Sequence, residues 1–145
     1  MKTRLLFMLA MALFLQVSQT CWSIEDSLKI KALGIAMAGA TKGYELSPDL
    51  SSQGKLRDGD VGGNKLELKA GVEYIIAGVC DDDCKDLDLI LFDGDTTNVV
   101  EHDTGTKEPP VIYIKPKRTG TFTLGIKMSS CAVSPCSLAV LVMKK

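Results

Sequence analysis

The hydrophobic positions divide the chain into three regimes. Leu5 to Leu15 is an unbroken apolar run of eleven residues. Residues 25–42, EDSLKIKALGIAMAGATK, place Leu28, Leu33, Met37 and Ala40 at near-helical spacing, with Ala32 and Ala36 between them. Glu25 and Asp26 at the start and Lys42 near the end suit a helix dipole, and Gly43 is a stop signal. This predicts one amphipathic helix over 24–43, with the Leu28, Leu33, Met37 and Ala40 face packed on the rest of the protein. Gly34 and Gly39 each oppose a helix by about 1 kcal/mol relative to alanine. An irregular N-terminal arm is the competing reading.

From Tyr44 onward the pattern changes to strands and turns. Leu66 to Lys69 alternates, and Glu73 to Val79 is short, apolar and rich in β-formers. Asp86 to Phe92 puts Leu87, Leu89 and Leu91 on one face and Asp86, Asp88, Ile90 and Phe92 on the other. That second face starts acidic and ends apolar, as a sheet capped by a loop or by the helix would. Val111 to Ile114 is apolar throughout. Thr121 to Met128 points Phe122, Leu124, Ile126 and Met128 inward, and Leu138 to Met143 is a last apolar run. Gly and Pro turns lie between these segments, and Gly59 to Gly63 (GDVGG) reads as another turn. Short strands at regular spacing predict a mainly β fold: an antiparallel sandwich or barrel over 44–145, preceded by the helix.

The first 23 residues read as an address. Lys2 and Arg4 precede the apolar run, and Gln16, Ser18, Gln19 and Thr20 follow it, in the order of a secretory signal peptide. Eleven apolar residues fall short of the about 20 that span a bilayer. Cleavage after Ser23 takes the formal charge from −1 to −3 and removes Cys21. Cleavage after Thr20 would instead leave Cys21 at the new terminus, as in a lipoprotein, although Thr20 fits the lipidation pattern poorly.

With 17 basic and 18 acidic residues the chain lacks the positive balance expected of a nucleic-acid binder. Four cysteines remain after cleavage at Ser23: Cys80, Cys84, Cys131 and Cys136. An even number in an exported protein reads as two disulfides, with three connectivities open. Local pairing of Cys80 with Cys84 and Cys131 with Cys136 is favoured, because each pair brackets a tight turn and a bridge needs Cα atoms within about 4.4–6.8 Å. Cross-pairing would close loops of about 50 residues and stabilise more. The C-x3-C and C-x4-C spacings also form a tolerable zinc frame, which an oxidising compartment disfavours.

The run Tyr74 to Asp95, YIIAGVCDDDCKDLDLILFDGD, is followed by Pro109-Pro110-Val111, Thr119-Gly120-Thr121-Phe122 and MSSCAVSPC over Met128 to Cys136. In this order they resemble the bacterial pre-peptidase C-terminal domain and its small stand-alone relatives. The resemblance covers about residues 54–143. It departs in the three residues between Cys80 and Cys84 and in the LAVLV ending. It implies a jelly-roll-like sandwich, export, frequent calcium stabilisation, and a binding or accessory role beside secreted proteases without catalysis.

Asp81, Asp82, Asp83, Asp86, Asp88, Asp93, Asp95, Glu101 and Asp103 gather nine of the 18 acids into 23 residues. Calcium takes six to eight oxygen ligands on flexible loops. Two acidic loops flanking the Leu87–Phe92 strand make Asp81, Asp83, Asp86, Asp88, Asp93 and Asp95 the candidate calcium ligands. The spacing is not that of an EF-hand, and a solvated acidic edge is the competing reading. His102, between Glu101 and Asp103, is the one candidate for histidine-based catalysis, but G-x-S-x-G and a P-loop lysine are absent. The sequence therefore favours a secreted or periplasmic, non-enzymatic binding or accessory module. Its partner would be an extracellular protein or polysaccharide. A small hydrolase using His102 is one alternative. An inhibitor or adhesin acting through an exposed loop such as Thr104–Glu108 is another.

Overall fold

The computed structural model describes residues 24–95 and 97–145, and among these described residues are nine strands, one helix and a single 3₁₀ turn. The signal segment read over 1–23 lies outside the described residues. The helix α1 spans Ile24–Thr41. The strands are β1 (Glu45–Leu46), β2 (Ser52–Leu56), β3 (Val61–Leu68), β4 (Tyr74–Cys80), β5 (Cys84–Asp93), β6 (Val99–Asp103), β7 (Val111–Ile114), β8 (Gly120–Cys131) and β9 (Cys136–Lys144).

All pairings are antiparallel. The first sheet runs β1-β9-β4-β7, with β2 pairing further along the same edge of β9 as β1. The second runs β3-β8-β5-β6. With β1 and β2 counted as one interrupted strand, this is the jelly-roll order, in which the chain crosses between sheets at nearly every turn. The core lies between the inner faces. Leu87, Leu89 and Leu91 of β5 and Phe122, Leu124, Ile126 and Met128 of β8 face Tyr74 and Ile76 of β4 and Leu138, Val140 and Val142 of β9. The two-residue alternation read in β5 and β8 is what creates those faces.

β4 is buried at all seven positions. A strand buried on both faces needs a cover on its outer side, and α1 supplies it. Ile35, Ala38 and Gly39 lie against Ile75, Ala77 and Met143. The helix closes with Gly43 at φ +81°. The Tyr44 N–H donates to the Gly39 carbonyl (3.1 Å) and the Gly43 N–H to the Ala40 carbonyl (3.0 Å), a Schellman stop.

The helix does not present the predicted face. Leu28 is buried, but Leu33 and Met37 are each 61% exposed and Ala40 is exposed as well. Close approach decides the rotation. A Cβ at Gly39 would collide with the Met143 Sδ, so only the glycine side of α1 can sit this near the sheet. The helix also covers the sheet of β4 and β9, not that of β5. The GDVGG segment is a second correction. Its turn ends at Asp60, and Val61, Gly62 and Gly63 already pair with Lys127, Ile126 and Gly125 of β8. A Cβ at Gly63 would stand 3.0 Å from the Leu124 carbonyl oxygen, so glycine there serves close strand approach rather than a bend.

Candidate functional site

Two disulfides lie side by side at one end of the sandwich. Cys80 is joined to Cys84 and Cys131 to Cys136, with Cα separations of 5.8 and 5.9 Å. The first staples the corner where the chain leaves the first sheet for the second. The second staples the corner where it returns. Cys84 and Cys131 are register partners of β5 and β8, so the two corners are neighbours.

Asp81 ties the corners together. Its residue is 2% exposed. Its Oδ2 accepts from the Ser137 N–H (2.6 Å) and its Oδ1 from the Cys84 N–H (3.3 Å). Its own N–H donates to the Ser137 carbonyl (3.0 Å). Asp58 does the same from the β2–β3 turn, accepting from the Cys131 N–H at 2.7 Å. A carboxylate that accepts backbone N–H groups satisfies donors that a tight turn leaves outside the ladder.

A cleft of about 330 Å³ opens between this braced end and α1. Gly34 and Ile35 of the helix form one wall. Val79, the Cys80–Cys84 bridge and Pro109 form the other, with Glu108 and Lys31 on the rim. Lys31 is already engaged. Its Nζ donates to the Cys80 carbonyl (3.0 Å) and pairs with Asp82 (2.8 Å). The hydrogen bond and charge of Lys31 hold the Asp82 carboxyl below its ordinary pKa. Lys31 thus clamps the helix to the disulfide corner. Glu108 is exposed as a whole residue, but its Oε1 accepts from the Leu87 N–H at 2.7 Å. The β5 ladder is irregular between Asp86 and Leu87, and Glu108 takes up the donor there. Partial burial of this carboxyl raises its pKa. The charges of Asp86, Asp103 and Asp88 raise it further, against the bond from Leu87.

The structure separates the six predicted calcium ligands. Asp81 and Asp83 lie in the turn before β5, whereas Asp93 ends that strand and Asp95 follows it. Ten strand residues at about 3.3 Å each put the two groups roughly 30 Å apart, beyond any shared ion. Asp93 pairs with Arg118, and Asp95 pairs with Lys65 at 3.0 Å. Between them, Asp88 is 8% exposed and accepts from the Ser129 hydroxyl. Asp86 has its pKa raised by burial and by the charge of Asp88, with Lys127 opposing. Among the described residues no group of three or more His, Cys, Asp or Glu is gathered to hold a metal ion.

His102 sits on β6, the exposed edge of the second sheet. Among the described residues, no hydrogen bond joins its ring to a hydroxyl or thiol. Asp103 accepts from the Val111 N–H (2.9 Å) and the Gly105 N–H (3.2 Å), closing the Thr104–Glu108 loop onto the edge of the cleft. Glu108, Lys31 and Asp58 were not singled out by sequence reasoning. Each acts on a partner between 21 and 73 residues away, and no local spacing marks that. A second cleft of about 550 Å³ lies beside β7, lined by Tyr113, Lys115, Lys117 and Arg118. Two of its cations are occupied: Arg118 by Asp93 and the Phe122 ring (4.9 Å), Lys115 by Glu73 (3.3 Å).

No family model matches the chain, and no curated protein matches it in sequence. Among solved structures it is similar to the periplasmic g-type lysozyme inhibitor PliG of Aeromonas hydrophila. The match has a TM-score of 0.52 and 13% identity, and covers 72% of this chain and 90% of that one. A pre-peptidase C-terminal domain of a Bacillus anthracis collagenase matches with a TM-score of 0.45 and 15% identity, over 63% of this chain and 86% of that one. The first likeness is one of fold: an antiparallel β-sandwich shared with a protein inhibitor.

Proposed function

We propose that the chain is an exported, non-enzymatic protein-binding module of the inhibitor kind. It would receive a side chain or loop of a partner protein in the cleft between α1 and the Cys80–Cys84 corner. The observation that carries this reading is the cleft itself. It is apolar, about 330 Å³, and walled by a disulfide on one side and a clamped helix on the other. Pre-formed apolar hollows with a few fixed polar groups are where binding concentrates. Three features support the rest. The fold is shared with a periplasmic inhibitor. Disulfides suit an oxidising compartment. The order of residues 1–23 is that of an export signal.

The test is binding and inhibition by the protein comprising residues 24–145, assayed against g-type lysozyme and against bacterial secreted endopeptidases. Gly34→Leu adds bulk to the helix wall of the cleft at a position where a Cβ meets nothing within 4 Å. It should lower affinity at least tenfold without lowering the melting temperature. Affinity unchanged by Gly34→Leu would remove the cleft from the reading. Cleavage of a substrate by the purified protein would remove the non-enzymatic class. The CDDDC-DLDL run supports a second reading, an accessory of a secreted protease. It expects binding to the endopeptidase without inhibition.

A further inference from the structure

Three ionisable side chains line the cleft beside α1: Lys31, Asp81 and Glu108. Two of them are fully engaged within the protein. Lys31 pairs with Asp82 and donates to the Cys80 carbonyl. Asp81 accepts a backbone N–H on each of its oxygens. Glu108 differs from both. Its Oε1 accepts from the Leu87 N–H, and no cation is among the groups acting on its charge. Partial burial raises its pKa, and Asp86 and Asp88 of β5 and Asp103 of β6 raise it further. Lys127 acts on Asp86. The rim of the cleft therefore carries a carboxylate in a negative field, without a counter-ion of its own, beside apolar walls.

We infer that the partner side chain received by this cleft is a long basic one, a lysine or an arginine, with its stem against the apolar walls and its cation on Glu108. The inference rests on the cleft reading above and specifies its ligand. Lysine and arginine carry both halves of what the site presents: a methylene stem that buries along apolar surface and a cationic head. Ile35, Val79, Pro109 and the Cys80–Cys84 bridge face the stem, and Glu108 faces the head. The head also relieves the repulsion among Glu108, Asp86, Asp88 and Asp103. An acidic side chain would meet the same field with the opposite sign, and an apolar one would leave Glu108 without a counter-ion. Lys31 does not compete for Glu108, because Asp82 and the Cys80 carbonyl hold its ammonium. An ion pair open to solvent is weak alone, so stem and head are both needed.

NMR titration of the protein comprising residues 24–145 with n-butylguanidinium, n-pentanol and hexanoate, at low salt, tests the class of side chain. The guanidinium probe should shift the amide resonances of Gly34, Ile35 and Leu87 and bind more tightly than the other two. Glu108→Gln keeps an oxygen to accept from the Leu87 N–H and removes the charge. It should weaken the guanidinium probe about fivefold, the upper end for an ion pair open to solvent, and leave n-pentanol unchanged. A bound cation favours the ionised form of Glu108. Guanidinium affinity should therefore fall as pH drops through the raised pKa of Glu108, and that fall should vanish in Glu108→Gln. Tighter binding of n-pentanol or hexanoate would overturn the basic class while leaving the cleft a binding site. An equal loss for the guanidinium and n-pentanol in Glu108→Gln would also overturn it, since Glu108 would then shape the cleft and not meet the cation. Cleft resonances unmoved by all three probes would overturn this inference and the cleft reading together.

Discussion

The carboxylates of this protein show how one residue type serves unlike ends. Asp81 is buried and bonded to two backbone N–H groups at the disulfide corners. Asp81→Ala would leave the Ser137 N–H without its acceptor, costing about 1–3 kcal/mol, while the Cys84 N–H keeps the backbone carbonyl of residue 81 at 3.3 Å. Chemical denaturation of the variant measures it, and a loss near zero would show that water replaces the carboxylate. Asp86 behaves in the opposite sense. Its pKa in the folded protein is raised by burial and by Asp88. Folding therefore favours its protonated form. The stability this gives is full below the ordinary value of 3.8 and is lost as pH rises through the raised value. Asp86→Asn should accordingly melt higher than the parent at pH 7, and the gap should close as pH falls below about 4. A gap that persists in acid would mean that the amide gains a bond of its own. None of this was legible in the acid-rich run, where both residues read alike as calcium ligands. The difference lies in long-range neighbours: Ser137 for one, Asp88 and Lys127 for the other.

At the scale of elements, the strands with one buried and one covered face were plain in the sequence, and the edges were not. β5 and β8 are central in their sheet, so alternation is enforced and leucines mark it. β2 and β6 are edge strands with mostly exposed, polar residues, and their backbone pairing leaves no periodic trace. The helix was legible in extent but not in rotation. Apolar residues on both sides give the same spacing whichever side is buried, and Gly39 decides. The disulfides belong to this scale too. Closing loops of four and five residues stabilises by only about 2 kcal/mol each. Each instead fixes a corner between sheets. Replacing Cys80 and Cys84 by alanine should therefore lower the melting temperature modestly while keeping the β signal in circular dichroism. Its larger effect should be faster hydrogen exchange at Asp82, Asp83 and Cys84→Ala, near the cleft wall. Uniform acceleration across β4 and β9 would mean that the bridge holds the sandwich and not the corner.

At the scale of the whole molecule, the sandwich has two kinds of outer surface. The second sheet turns Lys65, Lys127 and other polar residues to solvent. The first sheet has an apolar exterior of Ile75, Ala77, Val79, Leu141 and Met143, all at most 9% exposed because α1 lies over them. The helix is thus the third layer of the fold and a wall of the cleft at once. Its hold on the sheet is local: the close contact at Gly39 and the Lys31 clamp to Cys80 and Asp82. Gly39→Val would force branched bulk into Met143, and overpacking of this kind costs about 1–3 kcal/mol. The cost falls on the docking of α1, since the core between the sheets lies on the far side of β4 and β9. The variant should bind a hydrophobic dye such as ANS and lose affinity for any cleft ligand, while near-ultraviolet signals from the buried Tyr74 persist. Lys31→Met should weaken the same docking from the other end of the helix. If Gly39→Val instead unfolds the whole protein in one transition at a much lower temperature, the helix is integral to the sandwich core, and the cleft beneath it is a seam of that core rather than an opening between two layers.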